Sequence, residues 1–206
     1  MISQQAIDLI VYYEVTDEKT YTNRYQRPTW PEGASGVTVG IGYDLGYASR
    51  DKIENDWKGK VSALMLDNMI LCSGAHGKTA QQLRRVVRPK ILVPWKTAME
   101  VFLEGDVPEW TTTVVKKIPK AANLHPHCLG AIVSLAYNRG PSFDNSGGRY
   151  KEMRMIKFWI TTNQLSKVSA EIRAMKRLWP NVKGLRVRRD AEAKLFELGL
   201  QASTAT

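Results

Sequence analysis

Four short segments of this sequence gather residue types able to act on a polar substrate. Glu14 closes an apolar stretch beside Tyr12 and Tyr13. Residues 38–46 read Thr-Val-Gly-Ile-Gly-Tyr-Asp-Leu-Gly, and residues 135–141 read Leu-Ala-Tyr-Asn-Arg-Gly-Pro. Residues 184–192 read Gly-Leu-Arg-Val-Arg-Arg-Asp-Ala-Glu. A glutamate set against an apolar wall loses solvation of its charged form, which keeps a proton available for a leaving oxygen. Taken alone, a glutamate at a helix end is more commonly a solvated one. Gly40, Gly42 and Gly46 weaken a strand and mark either close approach of a backbone or ligand, or a tight hairpin; the residues leave both open. Gly40-x-Gly42 has no third glycine opening a helix, so it is no dinucleotide fingerprint. Asn138 and Arg139 can hydrogen-bond sugar hydroxyls or acetamido groups, although an arginine near a helix C-terminus also suits the dipole. The run Arg186, Arg188, Arg189 can hold phosphates; on a helix such a run is usually a solvated face.

These residues need elements to position them. Residues 2–14 carry Ile2, Ala6, Leu9, Ile10 and Tyr13 at helical spacing. Residues 37–43 alternate and are rich in β-branched types, so they read as a strand, with residues 20–25 as its candidate partner and residues 26–36 as the connecting loop. From Ser49 onward the pattern is helix after helix. Thr79-x-x-Gln82 reads as a capping box opening a helix that stops near Pro89. Pro94 suits the first turn of the next helix, and Gly105 followed by Asp106 and Glu109 reads as a stop and a fresh start. Pro126 opens a helix that is apolar nearly all round and ends at Gly140, which makes it the central buried helix. Two or three helices follow, and residues 201–206 read as a frayed tail. The fold class is α+β and mostly helical, a single domain over residues 1–206. Its small β-containing lobe covers about residues 15–60; its larger helical lobe covers about residues 61–200 plus the N-terminal helix. A cleft between such lobes is a usual ligand site.

The chain has 206 residues, 43% hydrophobic and 24% charged, enough to bury a core without disulfides or metals. The net charge of +10 draws it to a polyanion without saying which. Cys72 and Cys128 read as buried thiols. His125, His127 and Cys128 sit together, but a turn opening a helix explains them better than a metal site, and no metal or cofactor is expected. No basic region precedes an apolar one at the N-terminus, so synthesis in the cytoplasm without a signal peptide is expected.

Taken in chain order, Glu14, residues 38–43, Ser134 with Asn138 and Gly140, and Gly184-Leu185 with Arg188, Arg189 and Glu192 resemble the tailed-phage lysozymes of glycoside hydrolase family twenty-four. That family ends its first helix in the catalytic glutamate. It then shows Thr-Ile-Gly-x-Gly-His, Ser-x-x-x-Asn-x-Gly and Gly-Leu-x-x-Arg-Arg-x-x-Glu patterns. The resemblance runs over nearly the whole chain, with three departures: Asn23 stands where the family commonly has an aspartate, Tyr43 where it has a histidine, and residues 26–36 look inserted. It implies a lysozyme-like fold and hydrolysis of the bond between N-acetylmuramic acid and N-acetylglucosamine in peptidoglycan. Glu14 would protonate the leaving oxygen and Thr38 would position the attacking water. Asp44 would serve as the second carboxylate, with Asp17 a poorer alternative. This is the inverting layout, in which a water fits between carboxyl groups about 6.5–9.5 Å apart. Asn23, Tyr43, Tyr137, Asn138 and Arg139 form the expected substrate-binding set. The partners implied are peptidoglycan glycan strands and the anionic cell envelope, without nucleic acid, for a monomer that acts on the wall after release. A lytic transglycosylase, a basic nucleic-acid-binding protein and a wall-binding protein without catalysis are the alternatives.

Overall fold

A computed structural model describes residues 1–204. In chain order the elements are α1 (Gln4–Val15), α2 (Glu18–Arg24), β1 (Thr38–Val39), β2 (Tyr43–Asp44), α3 (Arg50–Trp57), α4 (Ala63–Ile70), α5 (Gly77–Val87) and α6 (Trp95–Val101). A π-helical turn, Phe102–Asp106, precedes α7 (Val107–Lys117), followed by α8 (Pro126–Arg139), α9 (Lys151–Thr161), α10 (Val168–Ala174) and α11 (Lys183–Thr204). The fold is therefore α+β and mostly helical, with one two-stranded antiparallel sheet among the described residues. None of the described helices is long and apolar enough to cross a membrane.

The chain forms two compact units, one of residues 14–107 and one joining Met1–Tyr13 to the chain from Pro108 onward. The boundary falls at residue 107, where the sequence placed it near 60. Helices α3 to α6 contribute Ile53, Trp57, Met69, Ala80, Val87, Ala98 and Val101 to the core of the hairpin's unit: Trp57 is fully buried with its ring edge-on to Tyr43 at 5.5 Å, and the buried Tyr21 hydroxyl donates to the Val93 carbonyl at 2.9 Å.

Within unit 14–107, residues 20–25 are helical, not a strand. Asp17 caps α2 by accepting from the Thr20 N–H at 2.7 Å, Glu18 sits in its first turn and Arg24 in its last. Capping and dipole complementarity outweigh the β-propensity of Thr and Tyr here. The residue that pairs with Thr38 from outside the sheet is Thr29, through two backbone bonds of 2.9 Å. The single strand expected over residues 37–43 is a hairpin, with Thr38 opposite Asp44 and Val39 opposite Tyr43. Gly40 and Gly42 turn it with φ of +58° and +77°, a region other residues enter at a cost. Further along, α5 starts at Gly77, whose N–H bonds the Ser35 carbonyl at 3.1 Å, so Thr79 lies inside the helix and does not cap it. Asp106 and Glu109 do stand at the start of α7, but Gly105 is no stop: the backbone stays helical from Phe102 to Val107, with the Val107 N–H on the Phe102 carbonyl. Pro108 follows and offers no N–H to the turn before it, which a wider π turn accommodates.

In the other unit α8 is the buried centre, with every residue from Cys128 to Ala136 inaccessible. Gly130 lies against Ala6 of α1, and Gly199 of α11 lies against Cys128, where a Cβ would come within 2.8 Å of the Cys128 nitrogen. Pro126 takes the first turn and His125 caps it, its Nδ1 accepting from the His127 N–H at 3.2 Å. The histidine cluster is thus the start of a helix. Helix α11 stays regular to Thr204, so the expected fraying does not begin at 201; residues 205 and 206 of that tail lie outside the described residues.

Candidate active site

Glu14 lies half-buried in the last turn of α1. The helix ends one residue later, and Thr16 takes a φ of +72°. A β-branched residue in the left-handed region is strained, and such strain gathers at functional positions. Asp17 comes next, and its capping bond to Thr20 holds its carboxyl below the ordinary range. That bond gives Asp17 a structural task at the start of α2.

Along residues 37–45 the odd-numbered side chains are buried and Thr38 and Asp44 are half-exposed. Strand alternation thus puts Thr38 and Asp44, as cross-strand partners, on the same outer face. The same alternation turns Tyr43 inward. Its ring is 5% exposed, packs on Trp57, and its hydroxyl donates to Asp56 Oδ2 at 2.7 Å, so Tyr43 belongs to the core and not to a substrate surface. Asn23 is exposed on α2.

Asp44 is the second carboxylate that the family resemblance implies. Its Oδ2 accepts from the Gly36 N–H at 3.0 Å and its Oδ1 from the Gly46 N–H at 2.9 Å. Gly36 and Gly46 pack backbone to backbone at this knot, with a Cβ on Gly36 only 2.6 Å from Gly46 Cα. The glycines therefore mark close approach of two chain segments. Replacing Asp44 with alanine removes both acceptors from partly buried N–H groups, and a loss of about 2–3 kcal/mol in urea unfolding is expected. An unfolding midpoint equal to wild type would show that the knot contributes nothing.

At the end of α8, Tyr137 is half-buried with its ring 5.6 Å from Trp110. Asn138 and Arg139 line a cavity of about 280 Å³ together with Arg149, Tyr150, Trp179 and Leu185. Sequence reasoning flagged Leu185 only as part of a motif and missed Arg149, Tyr150 and Trp179, which lie 10 to 40 residues from Arg139 with no shared period to flag them. Behind the cavity runs a buried polar network. Ser134 Oγ donates to Glu192 Oε1 at 2.8 Å, and Glu192 holds Arg188 at 3.2 Å and Arg189 at 2.8 Å. Arg189 Nη2 also donates to Asn138 Oδ1 at 3.1 Å. Arg188 is 2% exposed and Arg189 fully buried, so the basic run is not the solvated face its composition indicates. Burial pushes the Glu192 carboxyl up, against the pull of both guanidiniums, and pushes Arg189 down to about 10. Arg188 also lies 5.5 Å over the ring of Tyr13. No family model and no curated protein matches this chain.

Proposed function

We propose that the chain is a lysozyme-like peptidoglycan hydrolase that cleaves the glycan between N-acetylmuramic acid and N-acetylglucosamine and so lyses bacteria, as phage endolysins do. The observation that carries this reading is the buried network at α8. The residues on which the family resemblance rests, Ser134 and Asn138 in one motif and Arg188, Arg189 and Glu192 in another, hydrogen-bond one another across more than fifty positions of sequence. Residues that resemble a motif by chance have no reason to converge in this way.

In this mechanism Glu14, half-buried at the end of α1, is the general acid. It gives its proton to the glycosidic oxygen as the bond to the sugar breaks and positive charge grows on the ring. Thr38 presents its hydroxyl on the outer face of the hairpin and orients the water that attacks. Asp44 acts by positioning: it fastens the hairpin that carries Thr38 through the Gly36 and Gly46 N–H groups. The net charge of +10 favours approach to an anionic cell envelope. The reading places the working protein at the wall after release from the cell that made it, as a monomer without a metal or cofactor.

One observation favours a second reading. With both Asp44 oxygens already accepting backbone bonds, a lytic transglycosylase, which needs one acid and no activated water, fits the same residues. A nucleic-acid-binding role would use Arg84, Arg85 and Arg88 or the run from Arg186 to Arg189, and burial removes Arg188 and Arg189 of the second from any phosphate backbone. Mass spectrometry of purified peptidoglycan digested by the protein separates these. Hydrated reducing muramic ends are expected; 1,6-anhydro ends would replace the hydrolase with the transglycosylase, and intact glycan would end the enzyme reading.

A further inference from the structure

Four guanidiniums crowd the C-terminal end of α8, and only two have a carboxylate. Arg177 pairs with Glu152 at 2.5 Å and Arg189 with Glu192 at 2.8 Å. Arg139 and Arg149 have no carboxylate partner among the described residues. Arg139 is half-buried; its Nη2 donates to the Arg149 carbonyl at 3.0 Å, while its Nε and Nη1 are buried and meet no acceptor. Its charge rests on aromatic faces, 5.1 Å from the Trp179 ring and 6.0 Å from that of Tyr150. Burial, then the neighbouring charge of Arg149, lowers the Arg139 pKa, so the cation is held at a cost that a bound anion would relieve. The cavity of about 280 Å³ that both arginines line is open to receive one.

We infer that this cavity binds a carboxylate borne on a small, partly apolar group, namely a free carboxylate of the short peptides carried by the wall glycan. The exposed planar guanidinium of Arg149, with the half-buried charge of Arg139 behind it, matches a carboxylate better than a point-charge ammonium would. Trp179 and Leu185 offer an apolar wall to a methyl-bearing residue, and the Asn138 amide can meet a peptide group. A phosphate polymer is matched less well, since it calls for a stripe of exposed cations and Arg139 is half-buried at the end of a helix. The pocket's preference for an anion stands on its own residues; the identity of the ligand as a wall peptide rests on the proposed function.

The test is a tryptophan-fluorescence titration of the full chain with the free tetrapeptide alanyl-glutamyl-diaminopimelyl-alanine. Its methyl-esterified form and inorganic phosphate are the comparison probes, and Trp179→Phe identifies the signal. The free acid is expected to bind at least about tenfold more tightly than the ester, and Arg149→Ala to weaken it about tenfold. Arg149 is exposed and its bond from Arg139 uses the backbone carbonyl, so this variant is expected to unfold at the wild-type midpoint. Equal binding of acid and ester, or wild-type affinity in Arg149→Ala, overturns the inference. So does phosphate binding as tightly as the tetrapeptide, which would make the cavity a phosphate site. The same titration in Glu14→Gln separates the two proposals. Peptide binding there with glycan still cleaved refutes the proposed acid and leaves the pocket, while glycan cleavage in wild type without peptide binding refutes only the pocket.

Discussion

Glu14→Gln is expected to lower the rate of glycan cleavage by about 10²–10⁴-fold, the usual worth of a positioned general acid. Glutamine keeps the shape and the helix but has no proton to give to the departing oxygen. Because the change is nearly isosteric, the unfolding free energy should move by less than about 1 kcal/mol. The pairing of the two measurements is what makes the result informative. A large loss of rate in a protein that unfolds at the wild-type midpoint assigns the chemistry to the carboxyl. A variant cutting purified peptidoglycan at the wild-type rate would remove Glu14 from the reaction. Glu14→Asp, which withdraws the carboxyl by one methylene, should also be slow, since misplacing a reacting group by about 1 Å can cost about a hundredfold.

The second large effect is on stability. Glu192 is fully buried and is the counter-charge to two buried guanidiniums, Arg188 at 2% exposure and Arg189 at 0%. Glu192→Gln preserves volume and leaves both cations without a compensating charge away from water. Removing one member of a buried ion pair costs about 3–5 kcal/mol. Against the roughly 5–15 kcal/mol that holds a typical domain together, such a variant stands near its unfolding threshold. Urea unfolding should show the full loss in Glu192→Gln and a smaller one when Arg188, Arg189 and Glu192 are all replaced by apolar residues of similar volume. A midpoint within about 0.5 kcal/mol of wild type would mean that solvent reaches the network and shares its charge.

Periodic and punctuated elements were legible from sequence. Helix α8 announced itself through Pro126, an unbroken apolar run and Gly140, all three of which act within one helix. Helix α1 was likewise visible in its apolar spacing. What escaped was decided by partners distant in sequence. Residues 20–25 have the composition of a strand, and a single capping aspartate together with burial of Tyr21 made them a helix. Gly105 looked like a stop, yet Pro108 downstream set the geometry of that turn. At the candidate site, Tyr43 faces inward because the hairpin pairs it with the buried Val39, a pairing that reading residues 37–43 as one strand did not contain. The task of Asp44 depended on Gly36 and Gly46 meeting in space. Trp179 and Arg149 carry no motif, and only the fold sets them beside Arg139.

The packing of Ala6 against Gly130 has a consequence for the order of events during synthesis. Residues 1–13 belong with the chain from Pro108 onward, and residues 14–107 come between them. Helix α1 therefore leaves the ribosome before the rest of its unit and must wait for its partner. At about 5–20 residues per second the wait for the rest of its unit to begin emerging is roughly 5–20 s. A short isolated helix of 12 residues is marginal in water, so during that interval α1 has little reason to hold its shape. The contiguous middle of the chain can fold as it emerges, while residues 1–13 acquire their seat only after α8 has been made. A nascent chain stalled before residue 126 would display Ile2, Ala6 and Ile10 to any chaperone that binds apolar segments and would lack the helix they pack on. Within that unit, the part translated earliest is thus the last to be seated.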